Sequence, residues 1–250
     1  MTQFLISIMD ITPLSDSLSG DKALYDKAFK LVPGYRQQKI CNLKNDAAKC
    51  RSLAAGLLLN YTTRAFISSS VTGSLADNTP LAKKLPFPVT VSDAASAYMQ
   101  EYDYETACGA TGKPYFKGHA DLHYNLSHSG NFAVCIIAGT PCGIDIEGNR
   151  PFKPSVAKRF FSETEYHWIY DTENVSVQAE RFFRLWTLKE AYAKATGNGI
   201  AAEIYAASYI PDTDSDGLCF ADSETAAHFQ IKEAEYNGLR IAAVLSDSAF

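Results

Sequence analysis

An α+β fold of two similar halves is predicted by three features of the chain. A strand-like segment comes first and a long helical stretch second; a run of short strands then fills the middle; helices and strands follow again toward the C-terminus. The two halves join near Thr140 to Gly143, giving an N-terminal half over 1–140 and a C-terminal half over 141–250. A faint echo supports the division, with RSLAAG in the first long helix and TLKEAYAKATG in the second.

Taken in order, Thr2 to Ile11 reads as a buried strand. Its text, MTQFLISIMDI, lacks the positive start of a secretion signal. Lys22 to about Lys44 is mixed and polar, with Pro33-Gly34 as a turn. Asn45-Asp46 offers a helix cap, and Leu53, Leu57 and Tyr61 follow at helical spacing. Residues Ile67 to Pro88 carry serines and three prolines and read as a surface excursion. Gly112 to Phe116 is a turn leading into an extended segment. Tyr124 to Gly130 is extended and then turns. Phe132 to Ala138 is an apolar strand, Gly139 to Cys142 a hairpin turn, and Gly143 to Glu147 a second strand that ends at Asn149-Arg150-Pro151. A helix is expected over Ser155 to Phe160. Ser162 and Glu165 form a capping box that starts another. A third runs from about Val177 to Thr196 and stops at Gly197. Strands are expected near Ala207-Ile210, His228-Glu235 and Leu239-Leu245, with turns at Asp212 to Gly217 and Asn237-Gly238.

The bulk numbers narrow the class. A chain of 250 residues, 46% apolar and 20% charged, is long enough for a core that needs no staples and has the composition of a soluble globular protein. A net charge of -5 disfavours a non-specific nucleic-acid binder. The six cysteines form no CxxC pair, so free buried thiols in a reducing, cytoplasmic compartment are expected. The apolar runs are too short to cross a bilayer.

Four motifs carry candidate chemistry. In Gly143-Ile144-Asp145-Ile146-Glu147, strand alternation puts Asp145 and Glu147 on one face and the isoleucines toward the core. Neighbouring carboxylates repel, and a hard divalent cation relieves that repulsion. The pentapeptide fits an exposed edge with two solvated acids equally well. In Trp186-Thr187-Leu188-Lys189-Glu190-Ala191-Tyr192-Ala193-Lys194, Glu190 and Lys194 share a helical face. Alone they make an i,i+4 ion pair; with the strand acids, Glu190 completes a three-carboxylate site beside which Lys194 meets phosphate. In Asn125-Leu126-Ser127-His128-Ser129, a hydroxyl, an imidazole and main-chain N–H groups suit phosphate, although a plain polar turn also fits. A Ser127-His128 hydrolase is disfavoured, because adjacent strand residues face opposite ways. Gly112-Lys113-Pro114 is a rigid turn with a cation. His119 and His123 have a zinc-like spacing, but the strand signals and the lack of a cysteine pair argue against a site.

Together GKP, NLSHSG, GIDIE, AKRFFSETEY and LWTLKEAYAKATGNGI, in this order from Gly112 to Gly199, resemble the 4'-phosphopantetheinyl transferase superfamily, in its monomeric surfactin-synthetase-activating type. RSLAAG resembles the first helix of that family, and residues 62–100 look like an insertion. The resemblance implies an α+β fold of two pseudo-symmetric α/β halves with the active site in the cleft between them. It implies transfer of the phosphopantetheine arm of coenzyme A to a serine of an acyl or peptidyl carrier protein, with release of 3',5'-ADP. It further implies Asp145, Glu147 and Glu190 as magnesium ligands, and Arg51, Lys113, Ser127, His128 and Lys194 as coenzyme A contacts, with Lys39 near the 3'-phosphate. Glu190 or Glu147, directly or through water, is the candidate base, and Lys194 offsets charge on the departing product. The basic and aromatic stretch from Asn149 to Phe161 is a candidate docking patch for an acidic carrier, or else an ordinary amphipathic helix with a solvated face. Carriers of fatty-acid, polyketide and peptide synthesis all fit, and two halves that bury their faces together suit a monomer. A coenzyme-binding paralogue without chemistry and another magnesium-dependent phosphoryl-transfer enzyme are the rival readings.

Overall fold

The computed structural model describes residues 3–72, 89–91, 104–148 and 150–247. The chain divides into two compact units, one over Gln3–Gly139 and one over Thr140–Phe250.

The first unit mixes a four-stranded sheet with helices. Strand β1 (Phe4–Asp10) pairs in parallel with β2 (Val89–Val91) and antiparallel with β6 (Phe132–Ala138), which pairs in turn with β5 (His123–Ser129). A short ribbon of β3 (Thr106–Cys108) and β4 (Pro114–Phe116) precedes β5, turned by Gly112 at φ +84°. Helix α4 (Asp46–Thr72) starts where the Asn45 side chain accepts from the Ala48 amide at 3.1 Å, the cap expected from the sequence. It is buried nearly all round between Ser52 and Asn60, with Leu53, Leu57 and Leu58 at 0% exposure, so this unit's core forms about it.

Three helices stand where the sequence reads only mixed and polar text, or nothing: α1 (Thr12–Gly20), α2 (Lys22–Leu31) and α3 (Gly34–Cys41). Each has local signals that a search for long apolar periodicity passes over. Pro13 opens α1, and the Asp21 side chain caps α2 by accepting from the Leu24 amide. Pro33 stands at the junction, as the cap of α3. Helix α4 also continues through residues 67–72, the start of the segment read as a loose excursion. The remainder of that segment, apart from β2, lies outside the described residues, as do Pro80, Pro86 and Pro88.

The second unit is a three-stranded antiparallel sheet, in the order β10 (Phe229–Tyr236), β11 (Leu239–Ser246), β7 (Cys142–Gly148). The expected hairpin at Gly139 to Cys142 is not formed: β6 pairs with β1 and β5 in one sheet, and β7 pairs with β11 in another. An apolar strand, a turn and a second strand read alike in sequence whether the two pair locally or separate. The true hairpin joins β10 to β11 through Asn237 (φ 50°) and Gly238 (φ 73°). The strand end read at Asn149 lies outside the described residues.

Helices α5 (Pro154–Phe160) and α6 (Glu163–Tyr170) lead to α7 (Val175–Thr196), which packs on the sheet. Ser162 and Glu165 complete the expected capping box, and Gly197 ends α7 at φ 78°. The short helices α8 (Ile200–Glu203) and α9 (Ser223–His228) flank a hairpin of β8 (Tyr209–Pro211) and β9 (Leu218–Phe220). All six cysteines are free. Cys50, Cys135 and Cys142 are buried as expected, whereas Cys41 and Cys108 are exposed and Cys219 is half-buried. Among the described residues no helix is long and apolar enough to cross a membrane.

Candidate functional site

Asp145, Glu147, Glu190 and Lys194 gather where β7 meets α7. Alternation along β7 puts Gly143, Asp145 and Glu147 on one face. At Gly143 the strand touches the helix so closely that an added Cβ would lie 2.0 Å from the Ala191 carbonyl oxygen and 2.4 Å from the Ala195 nitrogen. That contact sets the distance across which Asp145 faces α7. Asp145 is buried, and its Oδ1 accepts from Lys194 Nζ at 2.6 Å. Lys194 Nζ also reaches the Ile144 carbonyl at 3.3 Å and stands 4.0 Å from Glu190 Oε2. The i,i+4 pair read from the helix is therefore looser than the lysine's pair with Asp145. Glu147 accepts from Arg150 Nη1 at 2.7 Å, with the guanidinium stacked on the Phe183 ring.

Burial pushes the Glu190 carboxyl above its ordinary pKa. The negative charge of Asp145 adds to the effect, Lys194 opposes it, and Glu147 adds a smaller upward push. All three acids thus act in one electrostatic field. Among the described residues no group of three or more His, Cys, Asp and Glu side chains is arranged to hold a metal ion. The three carboxylates supply the hard oxygen donors that magnesium requires, so their chemistry fits the ion. Asp145 and Glu147 are instead engaged by Lys194 and Arg150.

The other candidate residues lie in the first unit. Arg51 on α4, Lys39 on α3 and His128 on β5 come together there, joined by Arg36, a residue the sequence reading passed over. His128 keeps part of its surface exposed, yet the protein beside its ring lowers its pKa, and the positive charges of Lys39, Arg51 and Arg36 lower it further. Arg36 is buried, and its Nε has no hydrogen-bond partner among the described residues. It lines a cavity of about 560 Å³ together with Tyr35, Lys39, Asn42, Cys108 and Asn125. A signal for it existed in the sequence: Arg36 and Lys39 stand i,i+3 in GYRQQK, on one face of a helix that went unread. Ser127 is buried on β5, next to His128 in sequence and so on the other face of the strand. Lys113 falls in the turn before β4; its charge acts on His123, lowering that pKa after burial has done so.

A depressed histidine has a defined pH signature. Below the ordinary value of 6.5 the unfolded chain takes up the His128 proton before the folded chain does. Stability is therefore lost as pH falls from 6.5 toward the lower folded value, and is unaffected above it. An NMR titration of the imidazole is expected to give a midpoint below 6.5. A midpoint at or above 6.5 in the free protein would contradict the burial and the cationic surroundings of the ring together.

The site thus defines an α+β protein with acids and a lysine facing each other across a strand–helix contact, and with a cationic cavity in its other unit. Residues 141–244 match the model of the 4'-phosphopantetheinyl transferase superfamily. A 4'-phosphopantetheinyl transferase of Bacillus subtilis is 42% identical over 90 residues, covering 36% of this chain and 40% of that protein. The transferase gsp of Aneurinibacillus migulanus is 44% identical over 89 residues, 36% of each chain. The transferase HetI of a Nostoc strain is 44% identical over 107 residues, 40% of this chain and 43% of that one. The chain thus spans less than half the length of these curated relatives. Over residues 141–244 the chain is thus similar to the 4'-phosphopantetheinyl transferase superfamily, in the segment that holds the motifs GIDIE and WTLKEAYAK.

Proposed function

We propose that this protein is a magnesium-dependent 4'-phosphopantetheinyl transferase that moves the phosphopantetheine arm of coenzyme A to a carrier-protein serine. The observation that carries the reading is the meeting of Asp145, Glu190 and Lys194 across the β7–α7 contact, within the segment that matches the family.

In this reading Asp145, Glu147 and Glu190 hold the cation, which when bound neutralises pyrophosphate charge and polarises the phosphorus under attack. Lys194 moves from Asp145 to phosphate, and Arg150 releases Glu147. Glu190, whose buried carboxyl is already reluctant to ionise, takes the serine proton; Glu147 is the alternative base. Lys194 then offsets charge on 3',5'-ADP. In the other unit Arg36, Lys39, Arg51 and His128 receive the phosphate at the adenosine end. A buried guanidinium with an unsatisfied Nε favours an anion there. Lys113 and Ser127 supply further coenzyme contacts. The proposal includes the division near residue 140, the pseudo-symmetry of the halves, a monomeric state and a cytoplasmic location.

The test is the intact mass of an apo carrier domain incubated with the purified protein, coenzyme A and magnesium. Gain of one phosphopantetheine arm on the active serine is expected, across a panel of fatty-acid, polyketide and peptide carriers. No adduct on any carrier, with the protein folded, would overturn the reading.

Carrier docking is proposed at α5, where Lys158 and Arg159 are exposed. Arg159 lies over the Phe160 ring, which in turn packs against Trp186 and the exposed Tyr205. The other two aromatics of the stretch do not belong to such a surface: Phe152 and Phe161 pack on Phe182. Reversing Lys158 and Arg159 to Glu is expected to raise the carrier KM about tenfold, by replacing two positive charges with two negative ones at a screened interface. Coenzyme A affinity is expected to stay unchanged. A carrier KM equal to wild type would remove α5 from the docking surface.

A further inference from the structure

One buried ion pair has no part in the chemistry above. Lys189 and Glu165 are 2% and 0% exposed, with Nζ 3.1 Å from Oε2. The lysine also donates to the carbonyls of Ile204 (3.0 Å) and Ala207 (2.7 Å). Glu165 accepts from the Ser162 amide at 2.7 Å and from the Tyr209 amide at 3.0 Å, and the Tyr209 hydroxyl donates to the Leu188 carbonyl at 3.3 Å. The pair therefore ties α7 to the start of α6, to the segment after α8 and to β8. Lys189 immediately precedes Glu190, about 100° round the helix from it.

A fully buried ion pair is a poor way to gain stability. Taking both charges out of water costs about what their attraction returns, and apolar side chains of the same volume serve as well or better. What the pair supplies is a defined geometry. Apolar packing lets a helix turn a little about its axis, whereas an ammonium with three fixed oxygen partners does not. At the radius of a helical side chain, a turn of roughly 10° displaces the carboxylate by about 1 Å. A misplacement of that size can cost about 100-fold in rate. On the opposite side the Gly143 contact fixes how near α7 lies to β7.

We infer that Lys189, held by Glu165, is a positioning residue that sets the rotation of α7 and so the placing of Glu190 and Lys194 against Asp145. The inference rests on the transferase reading and assigns Lys189 no contact with substrate.

The test compares Lys189→Met and the double variant Lys189→Met/Glu165→Gln with the wild type and with Glu190→Gln. The double variant leaves no lone buried charge and keeps a carbonyl acceptor for one of the two backbone amides that Glu165 serves. It carries the test if the single variant unfolds. For the folded molecules, kcat is expected to fall tenfold or more, with KM for coenzyme A within twofold of wild type. The manganese concentration for half-saturation, read by electron paramagnetic resonance without turnover, is expected to rise several-fold. A kcat and a manganese affinity both within twofold of wild type overturn the inference. So does failure of both variants to fold, which would make the pair a stability element. A wild type that transfers nothing to any carrier overturns the functional reading itself. The manganese titration then still decides whether Lys189 places Glu190.

Discussion

Glu190→Ala is expected to cut phosphopantetheine transfer by on the order of 10³ or more while leaving the protein folded. Both halves of that result follow from one environment. Burial and the charges of Asp145 and Glu147 push the Glu190 pKa up, so ionising it costs the folded protein more than ionising an ordinary carboxyl. Removing it relieves that repulsion, and the melting temperature is expected to stay level or rise. The wild-type carboxyl loses stability to the fold as pH rises from its ordinary value through its raised one, and the variant loses this dependence. Asp145→Ala is expected to be equally inactive but less stable. Asp145 is buried and accepts from Lys194 at 2.6 Å, and its loss takes the short ion-pair partner from a partly buried ammonium that stands 4.0 Å from Glu190. Normal turnover in both purified variants, with excess magnesium and coenzyme A, would remove these acids from the chemistry.

Gly143→Ala is expected to have the largest effect on stability. The new methyl group would meet backbone, not a side chain that can swing away: the Ala191 oxygen at 2.0 Å, the Ala195 nitrogen at 2.4 Å and the Lys194 carbonyl carbon at 2.9 Å. Overpacking a core costs about 1–3 kcal/mol where side chains can yield, and here the strand and the helix themselves must part. A loss of about 3 kcal/mol corresponds to a fall of roughly 10–20 °C in the melting temperature of a unit this size. The same separation would draw Lys194 away from Asp145, so whatever remains folded is expected to be nearly inactive. Differential scanning calorimetry with a parallel transfer assay checks both. A variant that melts as wild type would show that the strand–helix contact is looser than drawn.

This glycine shows what sequence can and cannot convey. GIDIE announces a strand with two acids on one face, and WTLKEAYAK a helix with Glu190 and Lys194 on one face. Both readings hold, because each depends only on the period of its element. What neither period contains is the distance between the elements. That distance makes Lys194–Asp145 the short pair, and it comes from the missing Cβ at Gly143. The basic cluster was half legible for a related reason. Arg51 and His128 come from segments that resemble the family, whereas Arg36 lies on α3, a helix whose signal is a proline junction and short amphipathic spacing. The hairpin expected at Gly139 to Cys142 failed because local pattern does not say which strand a strand will pair with. That choice is made by β1 and β11, far off in sequence.

The most direct test of the account is the position of manganese in crystals of the protein grown with coenzyme A. A single anomalous peak bonded to carboxylate oxygens of Asp145, Glu147 and Glu190, with Lys194 turned from Asp145 to phosphate, is the predicted result. A peak held elsewhere, with Lys194 still on Asp145 and Arg150 still on Glu147, would contradict it.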